Sequence, residues 1–166
     1  MIPVAAMRFR QLVLITAVAA CTVPAVAGAN GLAVSRIEAA QVSVVAYLPS
    51  VRSFDVSEAL RQMALKGRRV VVITSPDAAR DPRSYLIRLA HVPGVETFLV
   101  EMKPGLPFLV VDGKVAWAGA GLSVQGGPVR EVVPDSLNRW AGQVMQGKPA
   151  RPLDVLKLRY SVTPAK

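Results

Sequence analysis

Short apolar runs alternate along the chain with segments of helical spacing. Residues 41–48 (QVSVVAYL) and 69–74 (RVVVIT) are apolar and rich in β-branched side chains, as buried strands are. The unbroken valines of the second run indicate burial on both faces, as in a parallel sheet. Residues 30–36 are expected to form a lead-in, with regular structure beginning near Ile37.

Three segments carry apolar residues at the spacing of an amphipathic helix. The first is predicted to start at Asp55, an N-cap with Glu58 in the capping-box position, and to end at Gly67. The second is predicted to start at residues 81–82 and the third at residues 134–135. Each of these pairs joins an Asp to a Pro, and proline is favoured in the first helical turn.

The second half of the chain predicts a third strand and a hairpin. Residues 95–100 (VETFLV) form the strand. Residues 107–111 and 115–118 flank Asp112 and Gly113, and Asp-Gly between apolar runs is a strong signal for a tight hairpin turn.

The order of these elements predicts an α/β sandwich in which a mixed β-sheet is flanked by helices. The domain is expected to span residues 35–147. The tail at 148–166 alternates loosely between apolar and polar residues and can add an edge strand.

The first residues have the three parts of a secretory signal. Arg8 and Arg10 precede an apolar run at 12–20, and small residues follow. Cleavage at the A-x-A site would remove residues 1–27. Alternatively, residues 18–21 resemble a lipobox, which would remove residues 1–20 and leave Cys21 lipid-modified. Both alternatives predict export to the periplasm or the exterior, with membrane attachment only through Cys21.

Composition limits the chemistry of the exported domain. Without the two signal arginines, 18 basic residues face 11 acidic ones, a net charge of +7. Such a surface suits anionic partners such as nucleic acid or a phospholipid headgroup, although it is equally typical of a basic protein with no such partner. Cys21 is the only cysteine and His91 the only histidine, so neither a disulfide nor a transition-metal site is expected. No cofactor motif is present.

The order of elements and several local motifs resemble one repeat of the phospholipase D-like superfamily. In that family the end of a helix leads into a strand that ends in Tyr. A second helix ends in a basic residue and Gly and is followed by a valine-rich strand. An Asp-Gly hairpin then precedes a Gly-Ser-x-Asn stretch, and a helix closes the domain. The matching segments here are 37–40 and 42–47, 66–67 and 69–73, 109–123, and the helix containing Trp140. The resemblance covers residues 35–146 and implies a phospholipase D-like α/β sandwich.

The family's catalytic motif is His-x-Lys, four residues, Asp, six residues and Gly-Ser-x-Asn. With its Asp aligned on Asp112, Gly105 takes the place of the His and Pro107 that of the Lys. Gly119 matches the glycine, but Ala120 replaces the serine and Leu122 the asparagine. In the family the His attacks phosphorus to form a phosphohistidine and the Lys stabilises the phosphoryl oxygens, and neither glycine nor proline can do so.

Other residues near the motif are candidates for binding. Lys103 and Lys114 flank it and could touch an anion, and Ser123 opens a polar, glycine-rich loop at 123–128. His91, at the predicted exit of the second helix, is more typical of a helix C-terminal charge partner than of a catalyst. Asp112 is favoured as a turn residue. Trp117 and Trp140 are predicted core residues.

Three functions remain open at this point. The first is an exported, non-catalytic phospholipase D-like protein that binds phosphate-bearing ligands or partners in the cell envelope. Since the family site is built from two facing repeats, a single repeat is expected to form a homodimer through the sheet or the motif face. The second is an active phosphodiesterase, nuclease or phospholipase, with an atypical site. The third is a redox-inactive thioredoxin-like protein, because residues 105–113 also resemble the stretch of that fold where a proline precedes a strand.

Overall fold

The computed structural model describes residues 29–101 and 105–161, so the predicted signal segment and Cys21 lie outside the described residues. Six helices, six strands and one 3₁₀ turn follow one another in these ranges. In chain order they are α1 (Ala29–Glu38), β1 (Ser43–Tyr47), α2 (Phe54–Leu65), β2 (Arg69–Thr74), α3 (Pro76–Arg80), α4 (Leu86–Ala90), β3 (Val95–Leu99), β4 (Phe108–Val111), β5 (Val115–Ala118), the 3₁₀ turn (Ala120–Leu122), β6 (Arg130–Val132), α5 (Asp135–Val144) and α6 (Pro152–Tyr160).

The strands form one mixed sheet in the order β3-β2-β1-β4-β5-β6. β1, β2 and β3 run parallel, and β4, β5 and β6 continue the sheet in antiparallel pairs. We call the edge where the parallel strands begin the amino edge, and the edge where they end the carboxyl edge. The mixed sheet flanked by helices confirms the predicted α/β sandwich.

Both faces of the sheet are covered. Val70, Val71, Val72 and Ile73 of β2 are all buried, as their unbroken apolar run predicts. Alternate residues of this strand enter two hydrophobic clusters, because side chains of a strand point to opposite faces. Helices α1 to α4 and α6 contribute to the larger cluster, and α5 contributes to the smaller one.

The start of α2 differs from the prediction. Ser53 is the N-cap, and its hydroxyl accepts a hydrogen bond from the Val56 N–H at 3.4 Å. Asp55 therefore lies in the first turn, where its charge favours the positive end of the helix. Glu58 does not reach back to a cap but accepts hydrogen bonds from Arg61 and Gln62.

The helix predicted to start at residues 81–82 is also wrong, because two short helices occupy this region. Ser75 caps α3 through a hydrogen bond from the Ala78 N–H, with Pro76 at the first helical position. Asp81 ends α3 instead of starting a helix. α4 starts only at Leu86, so residues 81–85 form a loop between the two helices.

The ends of the domain differ from the prediction as well. α1 already begins at Ala29, because Ala33 and Ile37 are both buried one turn apart. The tail does not add an edge strand but forms α6, which packs on α3 and α4 and buries Val155. Pro152 at the start of α6 and the capping box of Asp154 favour a helix here. The polar strand β6 was not predicted.

Within the described ranges, no helix combines the length and the apolar character that crossing a membrane would need.

Candidate functional site at the carboxyl edge

The carboxyl edge brings together five of the six aligned motif positions. Phe108 at the start of β4 pairs with Ala118 at the end of β5, so the residues just before and just after this pair are neighbours. The Gly119 N–H donates to the Pro107 carbonyl at 2.9 Å. Gly105 lies just before β4, and Ala120 and Leu122 lie just after β5. The positions aligned with the family's His, Lys, Gly, Ser and Asn are therefore at one edge.

Aromatic side chains lie beneath Gly105. Its N–H donates to the Tyr47 hydroxyl at 3.4 Å, and a Cβ at this position would be 3.4 Å from the Tyr47 ring. The Tyr47 ring packs against Phe108 and Trp140, with ring centroids 5.5 and 5.2 Å away. The position of the family's nucleophile is therefore a bare backbone segment on an apolar, aromatic surface.

Gly119 is required by a close approach of two backbone segments. Its φ is +154°, and a Cβ there would lie 2.1 Å from the Pro128 carbonyl oxygen. That carbonyl accepts a hydrogen bond from the Gly121 N–H at 3.2 Å. Residues 127–129 thus cover the loop that follows β5, and any side chain at position 119 would displace them.

Two adjoining surface pockets, of about 380 and 340 Å³, open at this edge. They share Leu106, Ala118 and Arg130 in their linings. Arg130 is the one ionisable side chain that the described residues contribute to either pocket. Ser136 adds a hydroxyl to the second of these pockets, and the remaining lining residues are apolar or glycine.

Asp112 lies at the opposite, amino edge. Its carboxylate accepts hydrogen bonds from the backbone N–H groups of Gln41, Val42 and Ser43 at 3.0, 2.8 and 2.9 Å. Burial alone would raise the pKa of Asp112, but these three hydrogen bonds outweigh it and lower the pKa. Asp112 and Gly113 have positive φ values of 52° and 67°, as the central residues of a type I′ turn do. Asp112 shapes the turn and fixes the start of β1.

His91 is also remote from the carboxyl edge. It ends α4 and precedes β3, which places it at the amino edge with its Nδ1 atom 2.8 Å from the Ile87 carbonyl oxygen. The five residues of β1 span about 16 Å between the two edges. The single histidine of the sequence therefore lies at the opposite edge from Gly105.

The proposed binding residues do not assemble at one place. Lys114 is an exposed residue of the turn beside Asp112, so it does not join the carboxyl edge. Ser123 is buried; its carbonyl accepts from the N–H groups of Arg52 and Ser53, and its hydroxyl has no partner within the described chain. Lys103 lies outside the described residues. In the part of the chain described, no three His, Cys, Asp or Glu side chains are grouped to hold a metal ion.

The two tryptophans belong to the hydrophobic clusters. Trp117 is buried in the larger one, and Trp140 is partly buried against the smaller one.

Sequence reasoning missed a second candidate site. Arg52, Arg83, Arg88 and Arg159 line a pocket of about 650 Å³ beside the loop at 81–85. We call this the arginine pocket. Its members are separated by up to 107 positions in the sequence, so the net charge was the only available signal.

Neither a family model nor a curated protein sequence matches the chain. Two solved structures resemble it. Nuc from Salmonella typhimurium, a phospholipase D family member, has a TM-score of 0.57 and 18% identity, over 72% of this chain and 89% of that one. NucT from Helicobacter pylori has a TM-score of 0.55 and 18% identity, over 68% of this chain and 82% of that one.

The sheet agrees with these neighbours and not with the thioredoxin-like alternative. The β4–β5 hairpin leads directly into the loop at Gly119 beside the central strands. With the mixed six-stranded sheet and the helices on both of its faces, this chain has the phospholipase D-like fold.

Proposed function

We propose that the protein is a non-catalytic phospholipase D-like domain that acts by binding. The observation that carries this proposal is the carboxyl edge itself. Gly105 and Pro107 stand where the resemblance places the nucleophilic His and its Lys, and the single histidine of the chain lies at the other edge. A glycine offers no atom that could take up phosphorus, so the covalent step of the family has no acceptor here.

The alternative, an active phosphodiesterase, would need a different nucleophile. The two pockets at the carboxyl edge are lined by apolar residues, Arg130 and the hydroxyl of Ser136. Neither a base nor an orienting carboxylate stands among these described lining residues, so nothing activates Ser136. Removal of a nucleophile commonly lowers the rate by several powers of ten.

Hydrolysis of bis(4-nitrophenyl) phosphate and of plasmid DNA by the purified protein tests this proposal. We expect no turnover above the buffer blank, for the wild type and for His91→Ala alike. Turnover that His91→Ala abolishes, or a phosphorylated protein that survives an alkaline quench but is lost in acid, would show that a phosphohistidine forms and would overturn the proposal.

We further propose export, on the basis of Arg8, Arg10 and the apolar run at 12–20. Intact mass measurement of the protein from the periplasmic, membrane and cytoplasmic fractions of a bacterial host distinguishes the two processing sites. A first residue after position 27 supports secretion, and a lipid-modified Cys21 that Cys21→Ser abolishes supports anchoring. An unprocessed cytoplasmic chain contradicts both.

Self-association through the carboxyl edge is the third part of the proposal. Leu106 and Val133 line the second pocket there and are 54% and 72% exposed, so an apolar patch is open for a second copy. The resemblance to a family whose site is made of two repeats favours a copy of the same chain as its partner.

Light scattering after size exclusion tests the dimer. The wild type should have twice the mass of the chain, and Leu106→Asp with Val133→Asp should halve it. Leu153→Asp is the matched control, since Leu153 is 52% exposed on α6. A monomeric wild type, or a dimer that Leu153→Asp but not the double variant disrupts, contradicts this interface.

A further inference from the structure

We propose that the arginine pocket binds the phosphate group of a phosphate ester. Its arginines come from three separate parts of the chain: Arg52 from the loop after β1, Arg83 and Arg88 from the loop before α4 and from α4, and Arg159 from α6. The pocket shares no lining residue with the two pockets at the carboxyl edge. It is therefore a separate site from the aligned motif.

Two of the arginines are held in place by the protein. The Arg159 guanidinium donates to the carbonyl oxygens of Asp81 and Pro82, the latter at 2.7 Å. Arg52 Nε donates to the Asp81 carboxylate at 2.5 Å. These contacts join α6, the loop at 81–85 and the loop after β1 into one wall. A binding site whose charged groups are already ordered loses less entropy when its ligand binds.

The side chains of the other two arginines form no ion pair within the described residues, although Arg83 lies near Asp81 and Arg88 near Glu58. Within residues 29–101 and 105–161, no carboxylate lies within hydrogen-bonding distance of the Arg83 or Arg88 guanidinium. Arg88 lies over the Tyr85 ring, 5.8 Å from its centroid. Glu58 is near Arg88, but its carboxylate accepts from Arg61 and Gln62 at 2.6 and 2.7 Å.

The resulting charge balance favours an anion. Asp81 is the single carboxylate hydrogen-bonded to the pocket's arginines within the described chain, and it is shared by Arg52 and the Arg83 backbone N–H. Burial by itself would raise the pKa of Asp81, but these hydrogen bonds outweigh it and lower the pKa, so Asp81 is ionised at neutral pH. Asp81 and the neighbouring Glu58, which is already paired with Arg61, do not balance four guanidinium groups, so uncompensated positive charge remains in a concave site. Planar guanidinium forks match the oxygens of a phosphate group, which can accept bidentate hydrogen bonds.

The rest of the lining fits an organic substituent. Tyr85, Ile87 and Tyr160 add aromatic and apolar surface beside the arginines. A volume of about 650 Å³ exceeds what inorganic phosphate needs and lies in the range of small-molecule sites. The ester could be a nucleotide or the headgroup of a phospholipid, because both present the same phosphate chemistry.

This inference rests on the proposed function in that a non-catalytic domain is expected to act by binding. The two can fail separately. Phosphodiester hydrolysis by the protein would contradict the proposed function, whereas the arginine pocket is tested by binding measurements alone.

Isothermal titration at about 150 mM salt tests the pocket with AMP, glycerol 3-phosphate and adenosine. We expect AMP or glycerol 3-phosphate to bind and adenosine, which lacks the phosphate, not to bind. The double variant Arg83→Gln and Arg88→Gln should weaken the affinity at least tenfold while leaving the thermal melting temperature unchanged, because neither guanidinium makes a hydrogen bond with the described residues. The matched control is Arg68→Gln with Arg139→Gln, two exposed arginines outside the pocket, which should stay within twofold of the wild type.

The source of the phosphate is distinguished by the ligand preference and by sedimentation with vesicles. Binding of AMP without glycerol 3-phosphate indicates a nucleotide. Binding of glycerol 3-phosphate, with pelleting by phosphatidylglycerol but not phosphatidylcholine vesicles, indicates a lipid headgroup. If neither ester binds, or if the pocket variant and the control variant bind equally, the proposal is wrong.

Discussion

The two edges of the sheet contain two parts of one aligned motif, and they differ in what the residues contact. At the amino edge, Asp112 holds three backbone N–H groups and shapes the hairpin turn. At the carboxyl edge, Gly119 matches the family's glycine, while Gly105, Pro107, Ala120 and Leu122 lack the functional groups of their counterparts.

The difference separates structural from chemical roles. Asp112 and Gly119 make their contacts entirely within the domain, with the start of β1 in one case and with Pro128 in the other. Those contacts stabilise the fold whether or not a substrate is ever bound. A nucleophile contributes to catalysis only, so a domain of this fold can stay folded without one.

Of the substitutions at the two edges, Gly119→Ala should lower the stability of the domain most. A Cβ 2.1 Å from the Pro128 carbonyl, at a φ of +154°, forces the covering loop to move, and we expect the free energy of unfolding to fall by about 3 kcal/mol. Gly142→Ala is the control, since a Cβ there meets no atom within 4 Å and alanine favours the helix. Urea denaturation of both variants measures the effect. Equal stability of the two would mean that the carboxyl-edge loop is not packed as described.

Asp112→Ala should have the next largest effect. It leaves three N–H groups without their acceptor and places alanine at a positive φ, so we expect a loss of about 2 kcal/mol. The pKa of Asp112 is lowered in the folded state, so its contribution is present above the unfolded pKa and disappears as the pH falls through the folded value. The difference between wild type and variant should therefore shrink below about pH 4. A constant difference from pH 7 to pH 2 would assign the effect to the backbone alone.

Ala120→Ser should have the smallest effect, although it restores a residue of the motif. Ala120 is exposed, so we expect a change within about 0.5 kcal/mol in the free energy of unfolding. No phosphodiesterase activity should appear, because position 105 still lacks a nucleophile. Activity gained by this single change would remove the distinction between the two edges.

Much of the central sheet was predictable because its strands carry local signals. The valine run of β2 is buried on both faces, and Asp112-Gly113 forms the predicted hairpin. The misassigned elements were decided by contacts with distant residues. Asp81 ends a helix where its Asp-Pro pair predicted a start, and the backbone there is held by Arg159, 78 positions away.

The candidate sites divide in the same way. The absence of a histidine at position 105 is a property of the sequence, and no fold could supply the missing imidazole. The sheet order decided which side chains lie around that position. It also decided that His91 lies at the opposite edge. The four arginines of the arginine pocket have no regular spacing in the sequence, because a pocket built from loops and a terminal helix needs no periodic pattern in the chain. The sequence alone therefore determined which side chains stand at the aligned positions, and only the tertiary structure decided where the positive charge is concentrated.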